Sequence, residues 1–247
     1  MDFPVSKIFH QASKVKKGEN QPKIIPFENW PREWKEIEFK QYPRFERIIL
    51  PKSDLPKVDL QKAIIERCSQ RDFSEKPVRK EDLARLLFWS AGLIKNQENN
   101  LHKSRRPYPS AGARYPLEVY LAVLAGSEEI KAGLYHYNLV EHCLENLLEG
   151  GFREELMAAI GQEMIGKTPL ILMISTVFKR TQIKYKERGY RFVLMEAGHL
   201  GQNISLISAT IGLKCCAIGG FDDDICNRLL DLNDEEESVI YFFAIGY

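Results

Sequence analysis

Long apolar runs, paired-cysteine spacings and any excess of charge are all missing from this chain. The longest apolar stretches fall far short of the roughly 20 residues that a membrane-spanning helix needs, so no membrane role is expected. Met1 to Lys17 lacks the continuous apolar core of a secretory signal. Lys and Arg number 35 against 34 Asp and Glu, a net charge of +1, so charge predicts no nucleic-acid or other polyanion partner. The five cysteines, Cys68, Cys143, Cys215, Cys216 and Cys226, are odd in number and show no CxxC pair. They read as free thiols in a reducing, cytoplasmic setting. His10, His102, His136, His142 and His199 form no ligand cluster, and HxxxH and HExxH are absent, so no metal is expected. The lack of a Walker loop, a GxGxxG turn and a GxSxG elbow argues against a nucleotide triphosphatase, a Rossmann dinucleotide site and a serine hydrolase.

What remains is an ordinary globular composition: 247 residues, 44% hydrophobic and 28% charged, enough to bury a core without staples. Residues 1–56 hold Pro4, Pro22, Pro26, Pro31, Pro43, Pro51 and Pro56, which break any long helix. The aromatics Phe27, Trp30, Trp34, Phe39, Tyr42 and Phe45 are too many for a purely disordered tail. This segment reads as an extended arm on the body or on a partner subunit. Over 57–247, helices are expected near Val58–Cys68, at Arg79–Leu93, over 152–160, from Tyr190 to Ile211 and within Asp222–Leu232. Strands are expected at Leu117–Ala125, Gly133–Asn138, His142–Leu148, Leu170–Phe178, Lys214–Ile218 and Val239–Ile245. The Tyr190–Ile211 helix is apolar around much of its circumference and contains Gly198 and Gly201. Close approach of another helix or a cofactor would explain both glycines. The fold class is α+β, a mainly antiparallel sheet covered by helices.

Four clusters could carry chemistry, and each has a plainer reading. Arg67-Cys-Ser69-Gln-Arg71 offers two guanidinium groups and a hydroxyl to a phosphate, or is a solvated face. Pro109-Ser110-Ala111-Gly112, in a stiff proline-rich loop, lets a flat ligand approach the backbone, or is a structural turn. Ala217-Ile-Gly219-Gly220-Phe-Asp222 exposes backbone N–H groups, or is a strand-to-helix turn capped by Asp222 or Asp223. Lys184-Tyr185, with Arg188 close by, can move protons if burial or a nearby cation tunes it, or is an exposed, charged helix start.

Taken in this order, the clusters resemble the nitroreductase superfamily of FMN enzymes. More closely, they resemble its SagB/ThcOx-type dehydrogenase branch, which includes azoline oxidases. Besides the four clusters, the resemblance rests on Phe9-His-Gln-Ala-Ser-Lys14, Tyr42-Pro, Ile49-Leu-Pro51, Gly133-Leu-Tyr-His-Tyr137, Glu196-Ala-Gly-His-Leu-Gly-Gln-Asn203 and Ala244-Ile-Gly246. It implies a nitroreductase-like fold and a homodimer with FMN between the subunits. Arg67 would meet the FMN phosphate, and Ser69 and Arg71 the ribityl chain and the N1/O2 edge. Ser110, Ala111 and Gly112 would line the ring from the other subunit, and Gly219 and Gly220 would offer N–H groups near N5. Ala113 stands where many relatives have Asn. The chain also lacks the basic phosphate ligands that many relatives carry beyond the last strand, so Arg191 or His199 would have to assist Arg67.

The same resemblance implies catalysis by Lys184 and Tyr185. A thiazoline or oxazoline ring in a peptide or small molecule would lose a proton to Lys184, with a pKa lowered by burial or Arg188, and a hydride to flavin N5. Tyr185 would relay the proton, and dioxygen would reoxidise the flavin. A cyclodehydratase partner would supply the ring. Two other readings stand beside this one: an NAD(P)H-dependent nitro- or quinone reductase, and a non-catalytic docking subunit on a flavin fold.

Overall fold

The computed structural model describes residues 4–14, 25–97 and 100–247, apart from the side chains of 95–103. Pro22 and the His102 side chain, named above, lie outside these residues. Helix α1 (Pro4–Ala12) and the short α2 (Arg32–Lys35) precede strand β1 (Arg47–Ile49). Helices α3 (Leu60–Glu66) and α4 (Lys80–Ala91) lead into a hairpin of β2 (Lys95–Gln97) and β3 (Asn100–Arg105). Then come β4 (Leu117–Val123), β5 (Gly133–Asn138), β6 (Cys143–Glu149), α5 (Arg153–Ile160) and β7 (Leu170–Val177). The chain closes with α6 (Phe178–Tyr185), α7 (Glu187–Thr210), β8 (Lys214–Ile218), α8 (Asp223–Leu229) and β9 (Glu237–Gly246).

The main sheet has seven strands in the order β1-β6-β5-β4-β7-β9-β8, every neighbour antiparallel, as the α+β expectation requires. Successive side chains in a strand point to opposite faces. Accordingly Leu121, Leu172, Ile174, Phe243 and Ile245 pack with Leu83, Leu86 and Leu87 of α4 and Val193, Leu200 and Ile204 of α7. Their neighbours Tyr120, Ala122, Ile171, Met173, Phe242 and Ala244 pack on the other face with Leu156 and Ile160 of α5 and Cys226 of α8. Both faces are covered, which is why Leu170–Val177 is apolar at both parities. Among the described residues no helix is long and apolar enough to cross a membrane.

Several expectations shift. Lys184 and Tyr185 do not start a helix; they close α6, and Lys186 (φ 48°) turns the chain into α7. Helix α3 stops at Glu66, before Cys68, and buries only Ala63, leaving Leu60, Ile64 and Ile65 exposed. Within 1–56, β1 is a strand of the main sheet, paired with β6. Gly201 meets a strand rather than a helix or cofactor: a Cβ there would lie 2.7 Å from Phe243 Cζ and 2.9 Å from Tyr241 Cε1. A Cβ at Gly198 would meet nothing within 4 Å, so no close approach accounts for that glycine.

Candidate functional site

The proline-rich loop ends in a tight turn at Ala111–Ala113. Gly112 (φ +61°), Ala113 (φ 53°) and Tyr115 (φ 46°) all occupy the left-handed region. For the two residues with a Cβ this conformation costs about 1–2 kcal/mol each. The Ser110 hydroxyl offsets part of that cost by accepting the Tyr115 N–H at 2.7 Å. The turn brings Gly112 against the end of α6. A Cβ on Gly112 would lie 2.7 Å from Tyr185 Oη and 3.0 Å from Lys184 Nζ, so the Ser110–Gly112 turn and Lys184–Tyr185 are brought together.

Burial, and then the charge of Arg114, lowers the pKa of Lys184. Burial raises that of Tyr185, with Arg114 opposing. The tuning cation is therefore Arg114, not Arg188, whose guanidinium donates to Ser13 O at 2.8 Å. Arg114 is itself buried and tightly held. Its Nε donates to Arg180 O at 2.8 Å, Nη1 to Trp34 O at 2.6 Å and Nη2 to Glu33 O at 3.2 Å. Arg180 in turn donates to Glu118, whose other oxygen accepts from His136, so a buried ionic chain braces the loop. Those cations outweigh burial and hold the Glu118 carboxyl down at about 2.

Glu196 on α7 is 2% exposed, and neither carboxylate oxygen makes a well-formed hydrogen bond. Burial pushes its pKa up to about 7, against weaker pulls from the Ser110 hydroxyl, Arg106 and the Ala111 backbone. Arg106, also buried, donates to Tyr108 Oη at 3.0 Å and Leu117 O at 3.3 Å, while its Nε and Nη2 lack partners. The sequence reading gave Glu196, Arg106 and Arg114 no role. For Glu196 a signal was present: a carboxylate on the apolar face that carries Val193, Ala197 and Leu200.

The second group lies elsewhere on the molecule. Gln70 N donates to Cys215 O at 3.0 Å, which ties the Arg67–Arg71 segment to the edge strand β8. The guanidinium groups of Arg67 and Arg71 make no hydrogen bond or ion pair among the described residues. Ser69 and Arg71 are exposed, and a cleft of about 670 Å³ opens beside Arg71, Phe73, Met164 and Lys167. Gly219 and Gly220 follow β8 directly, and a Cβ on either would meet nothing within 4 Å. Asp222 caps α8, accepting the Ile225 N–H at 3.0 Å, so the capping reading of that turn holds alongside its open glycines.

The Arg67–Arg71 segment and the Lys184–Tyr185 group belong to opposite ends of α7, whereas Asp223 and Asp224, just past Gly219–Gly220, share a cavity with Phe178, Gln182 and Tyr190. Tyr185 and Glu196 stand in or just before its first half. Ser205, Ala209 and Gly212, at or just past its far end, share a cavity of about 280 Å³ with Glu66, Cys68 and Gln70. A helix of 24 residues is about 36 Å long. Of the two auxiliary phosphate ligands, Arg191 instead donates to Ser13 Oγ and to His10 O, while His199 is exposed on α7.

The pattern of the nitroreductase family matches residues 64–247. The chain belongs to the nitroreductase family. It is 32% identical over 184 residues to a Methanocaldococcus jannaschii protein named as a nitroreductase, covering 73% of this chain and 88% of that one. It is 34% identical over 147 residues to the microcin B17-processing protein McbC of Escherichia coli, covering 57% of this chain and 54% of McbC. Among solved structures, one from Anabaena variabilis named as a nitroreductase superposes with a TM-score of 0.75 at 25% identity. That match covers 98% of this chain and 46% of the Anabaena chain. The E. coli microcin synthetase McbBCD complex, at 24% identity and a TM-score of 0.61, covers 99% of this chain and 92% of its own and shares the fold. The chain thus spans about half the length of McbC and of the Anabaena protein.

Nitroreductase family members generally use a flavin, FMN, and the residues here fit one. Two unpaired guanidinium groups suit a phosphate and an electron-rich ring edge. Gly219 and Gly220 leave backbone open to the approach of a flat ring.

Proposed function

We propose that this nitroreductase-family oxidoreductase is an FMN-dependent dehydrogenase that converts an azoline ring, in a peptide or related small molecule, to the azole. The observation that carries the reading is the contact of Lys184 and Tyr185 with Gly112. Kinship with the peptide-processing protein McbC supports a peptide substrate, and the McbBCD complex supports a cyclodehydratase partner. When bound, FMN supplies the two-electron acceptor for ring oxidation. Arg67 would hold its phosphate, Ser69 and Arg71 its ribityl chain and N1/O2 edge, and Gly219 and Gly220 would donate N–H groups near N5. Ser110, Ala111 and Gly112 would line the ring from the partner subunit. Lys184, with its lowered pKa, is more readily neutral and takes the ring proton at Nζ. Tyr185, with its raised pKa, stays protonated and passes the proton on through Oη. Arg114 favours the neutral amine, and burial keeps the phenol protonated against the pull of the same cation.

A homodimer is part of this proposal, and the separation of Arg67–Arg71 from Lys184–Tyr185 along α7 supports it. A two-fold axis across that helix would set the Lys184 end of one copy near the Arg67 end of the other. The division into an arm at 1–56 and an FMN-binding domain at 57–247 is part of the same proposal, with β1 as the arm's anchor in the sheet. So is a cytoplasmic location, which the free thiols favour.

The purified protein is expected to be yellow and to release FMN, identified by mass. Lys184→Ala and Tyr185→Phe should keep the flavin and lose turnover on a thiazoline-bearing peptide by 100-fold or more, on the order of a general-acid/base contribution. Normal turnover in both variants would remove the basis for the reading. Kinship with the M. jannaschii protein favours a second reading, an NAD(P)H-dependent nitro- or quinone reductase. Rapid anaerobic bleaching of the bound flavin by NADPH would select it.

A further inference from the structure

Lys184 is already occupied, and the occupant comes from the chain's own N-terminal segment. Its Nζ lies 3.1 Å from the centroid of the Trp30 ring, well inside the roughly 6 Å within which a cation and a ring attract. Trp34 and Tyr185 complete an aromatic enclosure, each with its ring centroid 5.4 Å from the same nitrogen. On the remaining side lies Gly112, whose missing Cβ leaves the room that Nζ takes. An amine seated on an indole face cannot also be seated on a substrate ring.

The segment that delivers the indole is held mainly through its backbone. Arg114 donates to the carbonyls of Glu33 and Trp34, and the Trp30 indole N–H donates to Ile25 O at 2.8 Å. Trp30 packs edge-on against Trp34 with centroids 6.2 Å apart and tilted against Phe27 at 5.0 Å. Pro26 and Pro31 set the chain direction ahead of its two short helical turns. Phe27 is 60% exposed, and no residue of either turn is buried. Such an element, shallowly packed and joined by few bonds, opens locally far more easily than the sheet beneath it.

We propose that residues 26–36 form a strap whose Trp30 ring fills the subsite of the substrate ring, so that a planar azoline or azole within a peptide gains Lys184 by displacing the indole. The substrate class in this statement rests on the azoline reading above; the strap itself does not. The strap sets a requirement on the ligand. It must carry a flat ring able to take over the indole's contact with Nζ, and enough flanking chain to repay the loss of the strap's own contacts. A small nitroaromatic supplies the first and not the second.

The test reads the amine rather than turnover. The full-length holoprotein is treated with limiting trinitrobenzenesulfonate, and labelling of each lysine is followed by peptide mass mapping, with exposed Lys179 as the internal reference. In Trp30→Ala, Lys184 should label roughly fivefold faster relative to Lys179 than in the wild type. Trp30→Phe, which keeps a ring face and guards against a folding defect in the first variant, should label near the wild-type rate. A saturating thiazole-containing peptide should abolish the difference between Trp30→Ala and wild type by covering Lys184 in both. Equal labelling of Lys184 in wild type and a folded Trp30→Ala overturns the strap whatever the enzyme oxidises. Faster labelling in Trp30→Ala, with no thiazoline peptide oxidised by any variant and no protection by the thiazole peptide, keeps the strap and removes the azoline reading.

Discussion

A carboxyl with no well-formed hydrogen bond, inside the packed face of a helix, is costly to ionise, and Glu196 is such a group. Its folded pKa, about 7, stands above its ordinary value of 4.5. Between those values the folded state holds the proton that the unfolded state has released, so this residue's contribution is full below about pH 4.5 and is lost as pH rises through 7. Glu196→Gln removes the ionisation. At pH 8 the variant should unfold at a higher temperature than the wild type, by a free energy on the order of 3 kcal/mol at most; at pH 4 the two should match. Thermal unfolding of both proteins at the two pH values checks this, and an equal difference at pH 4 and pH 8 would contradict it. Lys184, Tyr185 and the Ser110–Gly112 loop were legible as residues because their chemistry is carried by type and order along the chain. Arg114 was not. Its importance lies in three backbone carbonyls, of Arg180, Trp34 and Glu33, that only the fold brings to it.

At the scale of elements, the strands and the long helix announced themselves through their periods. The Leu170 run, the two strands after Lys214 and the helix near Tyr190 all appear within a few residues of their expected bounds. Helix α1 escaped within the proline-rich segment despite the helical spacing of Val5, Ile8, Phe9 and Ala12, and other elements escaped because their sequence carries no apolar period. Helix α6 reads Phe-Lys-Arg-Thr-Gln-Ile-Lys-Tyr, and the β2–β3 hairpin is almost wholly polar. Helix α3 shows the opposite case: helical spacing was real, yet the stripe it defined faces outward. Within α7 the two glycines separate on packing. Alanine at either position gains up to about 1 kcal/mol of helix propensity. At Gly201 that gain meets the rings of Phe243 and Tyr241 at 2.7 and 2.9 Å, and overpacking of this kind costs about 1–3 kcal/mol. Gly201→Ala should therefore lower the chemical-denaturation midpoint. A midpoint at or above the wild-type value would mean that β9 yields more easily than its burial implies.

At the scale of the whole molecule, the arrangement of the two groups makes a claim about assembly. Arg67–Arg71, and Ser110–Gly112 with Lys184–Tyr185, flank a helix about 36 Å long. If one FMN meets both groups, as proposed, they come from two copies. The solvent side of α7 carries the apolar surface such a contact needs: Leu194 is 44% and Met195 55% exposed, next to the open face of Gly198. None of this was legible from periodicity, since a stripe that faces a partner and a stripe that faces the core have the same period. A charge placed at Met195 tests the point cleanly. In the isolated chain the side chain is largely in water, so Met195→Asp should leave the monomer's fold and far-UV circular dichroism intact. In a two-fold contact the same carboxylate is buried against apolar surface with no partner, which costs several kcal/mol per copy. Sedimentation velocity should then show a monomer in place of the wild-type dimer. The FMN absorbance should be lost with the dimer, because each site is left with half of its ligands. A monomeric Met195→Asp that kept its flavin would mean that one chain closes the site alone, and that the separation along α7 does not divide it.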